Sequence, residues 1–316
     1  MNMCHACLAA ASAALAVCPM SRADRGAINT ARDVTIAEPA QRAIIAYDGV
    51  HELLILQTDV QADQETEIVE FMPLPSKPTV SLAAADCFAA LGRIVKEHNL
   101  RYVVQSKGRD TADQTARAIE VVATAQLGPH SVTVVEVHDA AGFVDWVRDF
   151  FAKNELGEPG LGPDLEAVVA DYLARRVCYF AFDIVRLAPH KQTVQPLVYE
   201  FESDHLYYPL KVTNLYGGRG VIELFFILPR LMNGPRERIT ITPGRARREG
   251  WHEFGGFLRS SDALVPATKL TSLHTRLFKM LRGELGWLFA VRYEGPLYFD
   301  EDIWVGDWHD YTPERR

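Results

Sequence analysis

Residues 42–58 read Arg42-Ala43-Ile44-Ile45-Ala46-Tyr47-Asp48-Gly49-Val50-His51-Glu52-Leu53-Leu54-Ile55-Leu56-Gln57-Thr58. Two apolar runs, 43–48 and 52–58, flank Asp48-Gly49. An Asp-Gly pair between such runs signals a hairpin, because glycine accepts the positive φ that a tight turn between twisted strands requires. A third strand-like run follows at 66–72, and Pro73, Pro75 and Pro78 close it, since proline cannot donate to a ladder. Upstream, residues 24–38 are polar and aperiodic and read as a disordered leader, so regular structure is expected from Ala40.

Beyond these strands the periodicity changes. Ala84, Cys87, Phe88, Leu91, Ile94 and Val95 recur every three or four residues and predict a helix over 82–98. Residues 105–116 are polar and read as a loop, and 119–127 with 131–137 read as a second hairpin closed by Gly128-Pro129. A helix from Asp139 or Ala140 to Lys153 gathers Phe143, Trp146, Val147, Phe150 and Phe151 on one side. After a break rich in Gly and Pro at 157–163, Asp164 caps a helix reaching Arg175.

From 177 the pattern is β. Cys178, Phe180, Phe182 and Ile184 alternate with Tyr179 and Asp183. Runs at 194–201, 206–213 and 220–228 continue as an antiparallel meander, 270–281 reads as a helix, and 288–293 as the last strand. Phe180, Phe182 and Ile184 are expected to line one buried face, packed by Phe88, Leu91 and Phe150 from the two early helices. Strands and helices cluster rather than alternate. The fold class is therefore α+β, mainly antiparallel sheets with helices packed on one side.

Composition narrows the function classes. The 316 residues are 48% hydrophobic and 23% charged, values of a globular chain rather than of collagen, a coiled coil or a disordered tail. A net charge of -8 argues against nucleic acid as a partner. Ala6 to Val17 is an uncharged run too short to span a bilayer but suited to the core of a signal peptide. Ser21 and Ala23 supply small residues for cleavage before Asp24, although residues 1–5 carry no Lys or Arg. Cys18 lacks the small preceding residue of a lipidation box, and the Cys4-Cys7 CxxC falls inside the signal. The division expected is 1–23 signal peptide, 24–38 leader, 39–230 an α+β domain and 231–316 a C-terminal extension packed on it. The mature chain is expected to be soluble, without a transmembrane helix, and secreted or periplasmic.

Several segments carry a resemblance. They are Pro39-Ala40-Gln41-Arg42-Ala43-Ile44-Ile45-Ala46-Tyr47-Asp48-Gly49 and Phe71-Met72-Pro73-Leu74-Pro75-Ser76-Lys77-Pro78. With them go the 164–175 helix, Tyr179-Phe180-Ala181-Phe182, Gln195-Pro196-Leu197, and Tyr207-Tyr208-Pro209-Leu210-Lys211-Val212-Thr213. In this order they resemble a prokaryotic secreted family known as domain of unknown function 2330, over roughly residues 38–230. The resemblance implies an extracytoplasmic location and no activity. The family's Cys/Gly-rich stretch after the signal and its frequent C-terminal anchor are missing from the pattern here.

No HExxH, GxSxG, Walker A or GxGxxG occurs, so no catalytic residue, metal or cofactor is expected from motif. The histidines are scattered and read as surface or hydrogen-bonded groups. Glu294, Asp300, Glu301, Asp302, Asp307 and Asp310 form an acidic tail interleaved with Trp304, Trp308 and Tyr311. That mixture reads as a solvated edge, and alternatively as the carboxylates and rings of a glycan cleft. Arg236, Arg238, Arg245, Arg247 and Arg248, with Arg230, form a basic segment that would meet an anionic partner or the acidic tail. Cys87 and Cys178 both point inward; they read as buried thiols, or as a disulfide if the chain is exported. The expectation is an exported, non-catalytic binding or envelope-associated domain with an envelope or glycan partner, the alternative being a secreted glycan-directed hydrolase.

Overall fold

The elements run in chain order as β1 (Gly26–Asn29), β2 (Ile36–Tyr47), β3 (His51–Ala62), β4 (Thr66–Leu74), β5 (Thr79–Leu82), α1 (Cys87–Glu97), β6 (Tyr102–Val103), β7 (Ser131–Glu136), α2 (Ala140–Lys153), α3 (Leu165–Ala174), β8 (Tyr179–Leu187), β9 (Lys191–Thr193), β10 (Leu197–Glu202), β11 (Leu206–Tyr208), a 3-10 turn (Lys211–Leu215), β12 (Arg219–Leu228), β13 (Phe257–Ser260), β14 (Ala263–Pro266), α4 (Ala267–Leu270), α5 (Arg276–Met280), β15 (Leu285–Pro296) and β16 (Ile303–Val305). This computed structural model describes residues 26–30, 36–103, 130–162, 164–215, 219–229 and 257–305.

The hairpin forms as its sequence dictates. Tyr47 pairs with Glu52 and Ala43 with Leu56 across an antiparallel ladder. Gly49 takes φ 104°, and Asp48 Oδ1 accepts the Val50 and His51 backbone N–H groups at 3.0 and 2.8 Å. This hairpin is the centre of a ten-stranded sheet, with β10 beyond β3 and β12 beyond β2. A second sheet of four strands has the order β1-β4-β8-β7, and β11 pairs with β16 in a separate ribbon.

The strand period of two decides the layers. On the large sheet Ile44, Ala46, Leu53, Ile55, Phe225 and Ile227 share a cluster with Phe88, Leu91 and Ile94 of α1 and with Leu270 and Leu277 of α4 and α5. The opposite face looks to the small sheet, where Val60 and Ala62 meet Ile68, Val185 and Leu187. The small sheet's outer face carries Phe71, Phe180 and Phe182, covered by Phe143, Trp146 and Phe150 of α2. The result is a four-layer sandwich: helices, small sheet, large sheet, helices. The α+β class holds, and each sheet bears its helices on the side away from the other sheet.

That layering corrects the expected core. Phe150 does pack on Phe182, with ring centroids 5.6 Å apart, but Phe88 and Leu91 cover the other sheet. A helical period gives α1 one apolar face without saying which sheet receives it. Nor is the far side of β8 solvated, since Ala181, Asp183 and Val185 are buried as fully as Phe180 and Phe182.

Other expectations are corrected by long-range pairing. The leader is not structureless, because Gly26–Asn29 adds to the edge of β4 and β2 begins at Ile36. Pro73 lies inside β4, paired with Phe180; β1 reaches only to Phe71, so at Pro73 that side of β4 is an edge where a missing N–H is tolerated. Residues 79–82 form an edge strand against β10, so the helix starts at Cys87. No meander runs from β8 to β12: β10 pairs with β3 and β5, and β12 runs parallel to β2. Pro209 precedes a 3-10 turn rather than a continued strand. Residues 270–281 are not one helix: α4 ends at Leu270 and α5 begins at Arg276, and between them Thr271 Oγ1 and Ser272 Oγ donate back to the Thr268 and Lys269 carbonyls at 2.6 and 2.8 Å. By contrast α2 spans the expected residues, with Asp139 accepting from the Ala141 and Gly142 N–H groups.

Candidate functional site

One end of the sandwich combines an open depression with the least ordinary buried groups. The β2–β3 turn, Pro75 and the β10–β11 turn meet there. Ser203 N donates to the Val50 carbonyl at 2.8 Å, Ser76 Oγ to the Glu202 carbonyl at 2.6 Å, and the Tyr47 hydroxyl to the Ser203 carbonyl at 3.1 Å. Between these turns lies a depression of about 390 Å³ lined by Gly49, Val50, Pro75, Glu202, Ser203 and Asp204. Val50 is an exposed apolar side chain on its wall.

The rim continues along β11. His205 Nδ1 lies 2.6 Å from Asp204 Oδ1, and its ring packs against Trp304 in a tilted arrangement with centroids 5.2 Å apart. Tyr207 meets the same indole edge-on at 5.0 Å. Trp304 comes from β16, whose register partner is Tyr207. Thus one aromatic of the acidic tail reaches a rim of carboxylates and histidine built by residues a hundred positions earlier.

Below the rim, Glu52 is buried and accepts the Tyr207 backbone N–H at 2.8 Å through Oε2. Burial pushes its carboxyl well above the ordinary range, and the Tyr207 hydrogen bond works against that. Burial likewise raises the Tyr172 and Tyr207 hydroxyls.

The acidic tail is only partly a solvated edge. Asp302 is buried: Oδ1 accepts the Tyr172 hydroxyl at 3.0 Å and the Leu210 and Lys211 N–H groups at 2.8 and 2.7 Å, and Oδ2 accepts Arg175 Nη1 at 2.8 Å. Its carboxylate fastens β16 to α3 and to the start of the 3-10 turn. Glu294 pairs with Arg292 at 3.1 Å. Asp307 and Asp310 lie outside the described residues, as do Arg230, Arg236, Arg238, Arg245, Arg247 and Arg248, and with them the expected pairing of the two segments.

Cys87 and Cys178 are free thiols. Cys87 sits under α1 on the outer face of the large sheet, whereas Cys178 enters β8 in the small sheet, so the two are not brought together as a bridge requires. Burial pushes the Cys87 thiol up to about 12 and raises Cys178 as well; Cys87 is fully buried, whereas Cys178 is partly exposed.

Two further polar clusters are internal. His130 Nδ1 lies 2.5 Å from Asp183 Oδ2 and its Nε2 lies 2.8 Å from the Gln195 carbonyl, so the ring ties the small sheet to the large one. On the outer face of the large sheet Arg42 stands between Asp59 and Glu223 at 3.6 and 3.7 Å, and the Tyr102 hydroxyl donates to Glu223 at 2.7 Å. Among the described residues no group of three or more His, Cys, Asp or Glu side chains could hold a metal ion. Also among them, no helix is long and apolar enough to cross a membrane.

The family model described as "uncharacterized protein conserved in bacteria", domain of unknown function 2330, matches residues 19–237. The chain belongs to this family. No curated protein and no solved structure matches it. The matched region ends beyond β12, yet the sheet of this family member does not end there: β15 lies along β12 from Arg219–Pro296 to Leu228–Trp287. Residues 257–305 therefore complete the sheet that the matched region begins.

Glu52, Asp302 and His130 were not singled out by motif. For Glu52 the signal was parity: it shares the inward side of β3 with Leu54 and Leu56. For Asp302 and His130 the partners are 53 to 130 residues away, and no local pattern shows them.

Proposed function

We propose that this chain is an exported, non-catalytic binding domain of the cell envelope, and that the end bearing Val50, Glu202, Asp204, His205 and Trp304 is its contact face. The observation that carries this reading is a separation. Glu52, Tyr172 and Tyr207, whose proton affinity burial raises, are sealed between layers. The open depression is instead walled by Val50 of the β2–β3 turn, Pro75, and Glu202 and Asp204 of the β10–β11 turn. A catalytic pocket gathers shifted acids and bases where substrate can reach them. Glu52, Tyr172 and Tyr207 do not line the depression.

Export fits the chain's construction. Cleavage before Asp24 leaves β1 whole, since that strand begins at Gly26. The glycan-directed hydrolase has less support: Asp302 is committed to four donors, and the exposed Glu294, Asp300 and Glu301 do not line the depression. The test is co-sedimentation of the exported protein with purified envelope polymer, with assay for released reducing ends. Binding that Val50→Glu and Trp304→Ala each weaken at least tenfold, without product release, supports the reading. Product release, or binding indifferent to both variants, overturns it.

A further inference from the structure

Glu52 lies on the inter-sheet side of β3, only 1% exposed. Its register neighbours are Tyr47 of β2 and Phe201 of β10. Oε2 accepts the Tyr207 N–H, and Oε1 has no hydrogen-bond partner. Tyr207 is the middle residue of β11, which belongs to neither large nor small sheet but to the β11–β16 ribbon. The Glu52 hydrogen bond is thus a tether between ribbon and sandwich; a second runs from the Tyr207 hydroxyl to the Pro73 carbonyl at 3.2 Å.

The surroundings do not welcome a second charge. On the β2 side, Glu52, Asp204 and Asp48 all act on the Tyr47 hydroxyl. On the ribbon side, Asp302, Tyr172 and Glu52 act on the Tyr207 hydroxyl, together with Arg175. Arg175 is the cation of this set, and it is engaged by Asp302 at 2.8 Å. Burial raises the proton affinity of this carboxyl, and a carboxylate in its place would leave an unpartnered anionic oxygen in the core.

We propose that Glu52 is a proton-operated latch: protonated, it holds the β11–β16 ribbon down on the sandwich, and the ribbon lifts with loss of that proton to water. Lifting exposes the carboxyl to solvent, where it has the ordinary proton affinity of glutamate, about 4.3. Above that range the lifted state gains about tenfold in population per pH unit for as long as the closed state keeps its proton. Because the ribbon carries Trp304 and adjoins Asp204, the latch sets the shape of the rim. It operates whether or not the depression binds an envelope polymer.

Hydrogen–deuterium exchange of the full chain over a pH series, with intrinsic exchange rates divided out, tests the latch. Residues 206–208 should lose protection as pH rises above the ordinary carboxyl range, by up to about tenfold per pH unit for as long as the closed carboxyl keeps its proton. Residues 180–185 of β8 should hold theirs. Glu52→Gln, which keeps the acceptor for Tyr207, should flatten the trend at 206–208; any contribution from His205 would persist in that variant. Loss at 206–208 in step with 180–185, a flat wild-type profile, or an unchanged trend in Glu52→Gln would overturn the proposal. Should Glu52→Gln fail to fold, the contrast between the two wild-type segments decides alone.

Discussion

Replacing Asp302 with alanine removes the acceptor of four donors at once. Breaking a buried charge pair by deleting one partner costs about 3–5 kcal/mol. Arg175 pulls the figure down, because its side chain is 34% exposed and can turn to water. The Leu210 and Lys211 N–H groups and the Tyr172 hydroxyl pull it up, since each is left in the core at about 1–3 kcal/mol when unsatisfied. A net loss of about 4 kcal/mol follows, or a fall in thermal midpoint of about 8–16 °C. Asp302→Asn retains the Oδ1 acceptor but turns an amide toward Arg175, so it should lose about half as much. Glu301→Ala, at an exposed neighbour, should stay within about 0.5 kcal/mol of wild type. Urea and thermal unfolding of the three variants measure these differences. If Asp302→Ala fell within about 1 kcal/mol of wild type, or matched Glu301→Ala, the clamp would be a surface contact and the tail a solvated edge after all.

Phe182→Ala should cost about 3–5 kcal/mol in urea unfolding, because Phe182 touches Phe71, Phe143, Trp146 and Phe150, while Tyr179→Ala at the strand's start should cost less than half of that. Glu52 has a raised proton affinity in the fold, so its contribution to stability is fully present below the ordinary carboxyl range and is lost as pH rises. Glu52→Gln should therefore gain on wild type by about 1.4 kcal/mol per pH unit above that range while the folded carboxyl stays protonated, read from urea midpoints at several pH values. Asp171 is the opposite case: burial raises its carboxyl, but Lys211 and then Arg175 outweigh it and hold it low. Its contribution is present above the ordinary aspartate range and disappears as pH falls, so a gap of about 0.5–1 kcal/mol between wild type and Asp171→Asn at pH 7 should close in acid.

Local chemistry was legible wherever it alone decides the structure. Asp48-Gly49 made a hairpin because the turn residues and both flanking runs agree, and α2 took its expected ends because Asp139 caps a helical apolar stripe. Partner choice was not legible. The period of α1 matches that of α2, yet the two helices cover different sheets. The Gly26–Asn29 strand has no strand pattern of its own and exists because β4 offers an edge. Parallel pairing of β2 with β12 joins residues about 180 positions apart, which no local window contains. At the candidate site, Trp304 among acids drew notice in the sequence, but its seat on His205 and Tyr207 did not. Asp302 was indistinguishable from its acidic neighbours because burial, not residue type, sets it apart.

Export, and action by contact outside the cytoplasm, are what we propose for this protein. Fractionation of cells producing the full chain, followed by N-terminal sequencing of the purified product, tests that claim most directly. The expected product is an extracytoplasmic protein whose first residue is at or near Asp24, two positions ahead of β1. A soluble cytoplasmic protein that retains Met1 would contradict it.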